Sequence, residues 1–143
     1  NRLLKEGVVE DDTDDSESAK LKLLDTTTPL GQAFHWIVFD DLFQIDPEDE
    51  HLIQRFVLAL IYFSNGGENW NYISEADGVW LSNRSECDWA FEIPDTSIGE
   101  MHGIGAFGCI NGTVTLLDFF EVNLVGTIPP EIGHLRGLKY LGL

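Results

Sequence analysis

Basic residues are scarce in this chain, because 8 Lys and Arg stand against 25 Asp and Glu, a formal charge of −17. A nucleic acid or an anionic membrane surface is neutralised by Lys and Arg side chains, so we expect neither as a partner. Long apolar runs are also missing. The longest, "FVLALIYF" at residues 56–63, is far shorter than the roughly 20 residues of a bilayer span. We therefore expect no membrane contact within this sequence.

Residue patterns typical of an active site are missing as well. Cysteine occurs twice and the four histidines are scattered, whereas a zinc site needs about four ligands at close spacing. No serine lies in a G-x-S-x-G motif, and neither cysteine has a histidine beside it. We expect no catalytic residue, no metal site and a protein that is not an enzyme.

One glycine motif could indicate a nucleotide cofactor. The segment "GIGAFG" at residues 103–108 spells G-x-G-x-x-G, which binds a dinucleotide only where it follows a strand and begins a helix. Here the pattern predicts a loop before it and a strand, "TVTLLDFF", after it. We therefore expect a flexible loop and no cofactor.

The sequence divides into three parts. Residues 1–27 form an acidic leader that includes "EDDTDDSES", and we expect it to be disordered because like charges repel and little can be buried. A helix is predicted from Thr28-Pro29, a cap and first-turn proline, with Phe34, Ile37 and Val38 at helical spacing. A second is predicted from Asp46-Pro47 to the Asn65-Gly66-Gly67 stop.

The part of the chain between the second helix and Gly112 has weak periodicity. Trp70, Trp80 and Trp89 alternate with turn residues, and we expect them to plug the core beside the second helix. The stretch "AFEIPDTSIGEMHGIGAFG" is interpreted as an inserted loop. Residues 28–112 are thus predicted to form a capping region.

The last segment, residues 113–143, repeats itself. Val114, Leu117 and Phe119 recur 24 positions later as Leu138, Leu141 and Leu143, a spacing typical of leucine-rich repeats. Each repeat would contribute a short strand with inward apolar residues, followed by a turn that returns the chain one layer further along. We expect one complete repeat and part of a second.

The stretch "NLVGTIPPEIGHLRGLKYLGL" closely resembles the plant-type leucine-rich repeat. The region before it, with a helix, Trp80-Leu81, Cys87-Asp88-Trp89 and a second cysteine, resembles the N-terminal cap of such proteins. "TPLGQAFHWIVFDD" is also similar to leucine-rich repeat proteins of diatoms. The resemblance implies an α/β solenoid in which a helical, disulfide-linked cap precedes the first repeats. Val122 stands where the repeat normally has a ladder asparagine.

Two features favour an oxidising compartment. A disulfide between Cys87 and Cys109 is the favoured interpretation, with two free thiols as the alternative. Asn83-Arg84-Ser85 and Asn111-Gly112-Thr113 are glycosylation sequons, although the second could be only a turn. The sequence begins with Asn and ends within an apolar pattern, so we expect a fragment whose membrane anchor, if there is one, lies outside it. Localisation at the cell surface or outside the cell is predicted.

The resemblance implies extracellular recognition of a protein, peptide or glycan ligand on the concave face of the solenoid. The residues between the inward positions of the strands should line that face, and they are Leu116, Asp118, Phe120, Glu121 and Tyr140. Cover by a neighbouring element is the alternative for the apolar ones. Two other functions stay open: a structural or adhesive surface protein without a specific ligand, and a small enzyme domain with a repeat-like tail.

Overall fold

The chain forms four α-helices and one four-stranded sheet in the computed structural model, which describes residues 2–9, 16–95, 97 and 99–143. The helices are α1 (Arg2–Lys5), α2 (Ser16–Leu24), α3 (Pro29–His35) and α4 (Leu52–Ser64). The strands are β1 (Ala90–Asp95), β2 (Glu100–Phe107), β3 (Leu116–Asp118) and β4 (Tyr140–Gly142), in that order across the sheet. Short 3-10 turns lie at Gly67–Asn69, Glu86–Asp88 and Pro130–His134.

The N-terminal residues pack against the body of the protein. Leu3, Val8 and Val9 are buried, and so are Ala19 and Leu23 of α2. The expectation of a disordered leader is therefore wrong for residues 2–9 and 16–24, because their few apolar side chains are buried in the core. The most acidic part of the predicted leader, residues 10–15, lies outside the described residues.

The helix predicted from Thr28-Pro29 is present, and two of its three apolar residues at helical spacing, Phe34 and Ile37, pack partly buried against the core. Thr28 caps α3, since its hydroxyl oxygen accepts a hydrogen bond from the Gly31 amide at 3.1 Å. The helix then widens into a π-helical turn at Trp36–Asp40. Gly31, Ala33 and Trp36 face the core, whereas Val38 is exposed.

Helix α4 begins at Leu52, whereas the sequence predicted its start at Asp46-Pro47. The Asp46 carboxylate accepts from the Glu48 amide and the Asp49 carboxylate from the His51 amide, both at 2.8 Å. Such local hydrogen bonds compete with helical ones, so this acidic stretch forms turns. The predicted stop is present, with Gly66 in the left-handed conformation at φ +70°. From Ile53 to Tyr62 every residue of α4 is buried.

The segment interpreted as an inserted loop is a β-hairpin. Strands β1 and β2 pair antiparallel from Ala90–Gly105 to Asp95–Glu100, and β2 continues the sheet by pairing antiparallel with β3. The predicted flexible loop at residues 103–108 lies largely within β2. The glycines of β2 conceal its alternation in the sequence, and Pro94 is tolerated because β1 is an edge strand.

The predicted α/β solenoid is wrong. A solenoid stacks successive parallel strands, whereas this sheet is open and mixed, and only β3 and β4 are parallel. Their register pairs Leu117 with Leu141, which is the 24-residue offset of the repeat. The two sets of apolar residues nevertheless differ: Val114, Leu117 and Phe119 are buried, while Leu141 and Leu143 are exposed.

A chain of aromatic rings forms the centre of the core. Trp80 lies 5.3 Å from Trp70 and 5.4 Å from Trp89 between ring centroids, and Phe119 lies 5.2 Å from Trp70. The Trp80 indole donates to the Leu58 carbonyl of α4 at 3.3 Å. The expected burial of Trp70, Trp80 and Trp89 against the second helix is confirmed.

Candidate functional site

Two large aromatic side chains stand out at the β3–β4 end of the sheet. Phe120, just beyond β3, is 50% exposed, and Tyr140 in β4 is 48% exposed. Leu116 lies opposite Tyr140 in the parallel register and is half-buried. Single exposed apolar residues are ordinary on protein surfaces, whereas neighbouring ones more often mark a contact surface.

The carboxylate of Asp118 lies between these aromatic residues. Its Oδ1 accepts from the Phe120 amide at 2.8 Å, and its Oδ2 accepts from the Tyr140 hydroxyl at 3.4 Å. His102 of β2 places Nε2 3.2 Å from the same Oδ2. Gly142 makes room for it, since a Cβ there would lie 2.6 Å from Oδ1. Asp118 thereby fixes residues from β2, β3 and β4 relative to one another.

His102 extends the surface. Its ring contacts that of Phe120 edge-on, with centroids 5.6 Å apart. We call the group His102, Leu116, Asp118, Phe120 and Tyr140 the aromatic sheet surface. Sequence reasoning missed His102, because it assigned this segment to a loop. The only strand signal there is the spacing of Ile104 and Ala106, which glycines flank.

The structure brings most of the predicted concave-face residues together. Phe120, Tyr140 and Glu121 are exposed and Leu116 is half-buried. Asp118 is the exception, since it is only 3% exposed and organises its neighbours instead of presenting a free carboxylate. Glu121 adopts φ +57°, and its carbonyl accepts from the Asn71 side chain at 3.1 Å.

The predicted disulfide is confirmed. Cys87 and Cys109 are bonded, with Cα atoms 5.8 Å apart. The bridge connects the 3-10 turn before β1 to the segment after β2, so it closes the base of the hairpin. A disulfide is compatible with an extracellular location.

Both sequon asparagines are exposed. Asn83 lies in the loop before the Glu86–Asp88 turn. Asn111 and Gly112 have φ values of +50° and +78° and form a tight turn, closed by hydrogen bonds of 2.9 and 3.0 Å between Ile110 and Thr113. The turn interpretation of Asn111-Gly112 therefore holds whether or not a glycan is attached.

Within residues 2–9, 16–95, 97 and 99–143, no group of three His, Cys, Asp or Glu side chains is arranged to hold a metal ion. None of the helices in this part of the chain has the length and apolarity to cross a membrane. The G-x-G-x-x-G glycines precede no helix; β3 follows instead.

No family model, curated protein or solved structure matches this chain.

Proposed function

We propose that this chain is a recognition module that binds a protein, peptide or glycan ligand through the aromatic sheet surface. The observation that carries the proposal is the exposure of Phe120 and Tyr140, each of which donates a hydrogen bond to the buried Asp118 carboxylate. Aromatic side chains have few rotatable bonds, so they offer a large contact area at a low cost in conformational entropy. The hydrogen bonds that Asp118 accepts from the Phe120 amide and the Tyr140 hydroxyl hold both residues in position before a ligand arrives.

The chemistry of this surface favours a ligand with apolar or sugar-ring faces and hydrogen-bonding groups. The Tyr140 hydroxyl and His102 Nε2 both lie near Asp118, and Glu121, which follows Phe120 in the chain, is exposed. A strongly anionic ligand is disfavoured, because the chain carries a formal charge of −17. The partner classes expected from the sequence therefore stay the same: protein, peptide or glycan.

The proposed compartment is the cell surface or the extracellular space. The Cys87–Cys109 disulfide and the exposure of Asn83 and Asn111 support it. The test is the intact mass of native material with and without reductant and glycosidase. A two-proton mass increase on reduction is expected, with a larger glycosidase shift if a sequon is occupied. Two thiols that alkylate without reductant would contradict the assignment.

A relationship to plant-type and diatom-type leucine-rich repeat proteins is also proposed. The motif residues of 123–143 and the 24-residue parallel register of β3 and β4 support it. The proposal concerns ancestry of this segment only, since the sheet as a whole is mixed.

The functional test uses substitutions at the surface. The chain is screened on arrays of glycans and extracellular peptides, and the dissociation constant of each hit is measured for the wild type, Phe120→Asp and Tyr140→Ala. We expect at least about tenfold weaker binding, typical of an aromatic contact at the centre of an interface. Leu24→Asp is the control, because Leu24 is an exposed apolar residue on α2. Unchanged affinity in both surface variants would reject this surface as the binding site.

A further inference from the structure

A second apolar feature lies on a different part of the molecule. A cleft of about 500 Å³ opens between the π-helical turn, the loop that follows it, the start of α4 and α1. Its walls are mainly apolar and include Phe34, Ile37, Val38, Phe39, Ile45 and Pro47. It shares no residue with the aromatic sheet surface. We call it the π-turn cleft.

The rim of this cleft is unusually apolar for an exposed surface. Two residues of the lining, Val38 and Phe39, are exposed, and Phe39 is 72% exposed. Leu42, in the loop that follows the π-helical turn, is 78% exposed. The π-helical turn accounts for this exposure. It contains more residues per turn than an α-helix, and it places Trp36 in the core and leaves Val38 and Phe39 exposed. Burial of such side chains by a partner would gain about 1.5–3 kcal/mol each if complete.

The charged groups that line the cleft already have partners within the chain. Asp41 accepts two hydrogen bonds from the buried Arg55, both 2.7 Å long. Arg2 donates to the Glu6 carboxylate at 2.6 Å and to the backbone carbonyls of Pro47 and Asp49. A ligand would therefore be held chiefly by apolar contact within the cleft itself.

Two exposed carboxylates, Asp46 and Glu48, flank Pro47, which lines the cleft. Asp40 follows Phe39, but its carboxylate lies 3.1 Å from His35 Nδ1 and borders a different cavity. Among the described residues, Arg2 is the one cation in the lining of this cleft, and its guanidinium is paired with Glu6. The edge of the cleft thus carries negative charge around an apolar centre.

This charge pattern selects among possible occupants. A second copy of the chain would bring two acidic edges together, and an anionic lipid surface would be repelled. A cationic segment is attracted. Amphipathic helices with apolar side chains on one face are a common occupant of such clefts.

We propose that the π-turn cleft binds a basic amphipathic segment of a partner protein. Its apolar side chains fill the cleft beside Phe39 and Ile45. Its Lys and Arg residues face Asp46 and Glu48. This site is independent of the proposed function of the sheet, so either proposal can fail alone.

The test uses a defined probe, a fluorescent peptide of about 18 residues with Leu on one helical face and Lys on the other. Binding to the 143-residue chain is measured by fluorescence anisotropy at about 0.15 M salt. A matched peptide has the same Leu positions with Glu in place of Lys. We expect the Lys peptide to bind at least about tenfold more tightly than the Glu peptide, and equal affinities would overturn the proposal.

The decisive variant is Phe39→Asp. It adds negative charge, so a peptide attracted only by the overall charge of the protein would bind more tightly. A peptide seated in the cleft would instead lose its apolar contact and bind at least about tenfold more weakly. Val125→Asp is the matched control, since it adds the same charge at an exposed apolar residue packed near Gly66, at the other end of α4. Equal effects of the two variants would overturn the proposal.

Two measurements address the other occupants. Sedimentation velocity is expected to show a monomer, and a dimer abolished by Phe39→Asp would assign the cleft to self-association instead. A neutral naphthylamine dye should be displaced by the Lys peptide. A dye that binds in the cleft while the Lys peptide fails to bind would assign it to a small apolar molecule, and would overturn the proposal.

Discussion

Arg55 forms a two-pronged hydrogen bond with Asp41, in which Nε and Nη2 each donate to a carboxylate oxygen at 2.7 Å, and both residues are buried. The remaining guanidinium hydrogens are directed to Glu86 at 3.2 Å and to the carbonyls of Ser82 and Arg84 at 3.1 and 3.0 Å. All five donors of this arginine therefore have acceptors. The cluster joins the end of the π-helical turn, α4 and the loop before β1.

Substitution of Arg55 by Leu should be among the most destabilising changes in the chain. It would leave the carboxylates of Asp41 and Glu86 buried without their cation, and the expected cost is about 3–5 kcal/mol. Arg55→Lys should also be costly, because an ammonium group cannot replace the planar fork. Urea denaturation followed by tryptophan fluorescence measures both.

The control for this cluster is the exposed ion pair of Lys20 and Glu17, which are 3.4 Å apart. Lys20→Leu should change stability little, because solvent screens such a pair. Should Arg55→Leu prove as mild as Lys20→Leu, the buried cluster would have no structural role.

Gln54 should be the second critical polar residue of α4. Its Nε2 donates to the Gly112 carbonyl at 2.8 Å and to Glu86 at 2.7 Å, and its Oε1 accepts from the Val114 amide at 2.7 Å. Gln54→Leu would leave these partners without their hydrogen bonds and should lower the free energy of unfolding by about 1–3 kcal/mol. Amide hydrogen exchange at Val114 should accelerate beyond the change expected from global stability. Exchange that follows global stability alone would show that Gln54 has no local role.

Gly105 should not tolerate a side chain. It has φ +99° in the middle of β2, and a Cβ there would overlap the Trp89 carbonyl oxygen, which accepts from the Ala106 amide at 2.8 Å. Gly105→Ala is therefore expected to cost about 1–3 kcal/mol in the free energy of unfolding. Gly133→Ala is the control, because no atom lies within 4 Å of its Cβ position. Similar losses in both variants would contradict this explanation.

The sequence predicts those features that depend on local signals. The Thr28 cap, the stop at Asn65-Gly66 and the Asn111-Gly112 turn each need only a few neighbouring residues, and the structure contains all three. The 24-residue offset could also be predicted, because it follows from a comparison of two similar segments of the sequence. Each of these features could be predicted from the sequence without knowledge of the tertiary fold.

Apart from the Cys87–Cys109 disulfide and the burial of the three tryptophans, features that depend on distant partners were not predicted. The β1–β2 hairpin is stabilised by pairing with β3, and its glycines hide the strand pattern. His102 belongs to the site only because β2 lies beside β3, which also explains why Asp118 is buried. Likewise, nothing near Arg55 in the sequence indicates that Asp41, Ser82, Arg84 and Glu86 converge on it. Long-range pairing therefore decides both the mixed sheet and the composition of the candidate site.

Tyr62 should make stability fall at alkaline pH. Burial in α4, beside Trp70 at 5.4 Å between ring centroids, raises the pKa of Tyr62 to about 12 from the usual 10.0, and nearby carboxylates such as Glu75 add to the shift. Below pH 10 the phenol is neutral in both states and contributes no pH dependence. Between pH 10 and about 12 the unfolded chain ionises while the folded chain stays neutral, so the free energy of unfolding should fall as pH rises.

The measurement is the urea midpoint as a function of pH for the wild type and Tyr62→Phe. Other groups that ionise in this range act equally in both proteins, so the difference between the two curves reports on Tyr62. We expect the variant to lose less stability above pH 10 than the wild type does. Parallel curves would mean that the Tyr62 phenol ionises as readily in the folded chain as in the unfolded one, which is incompatible with its burial against Trp70.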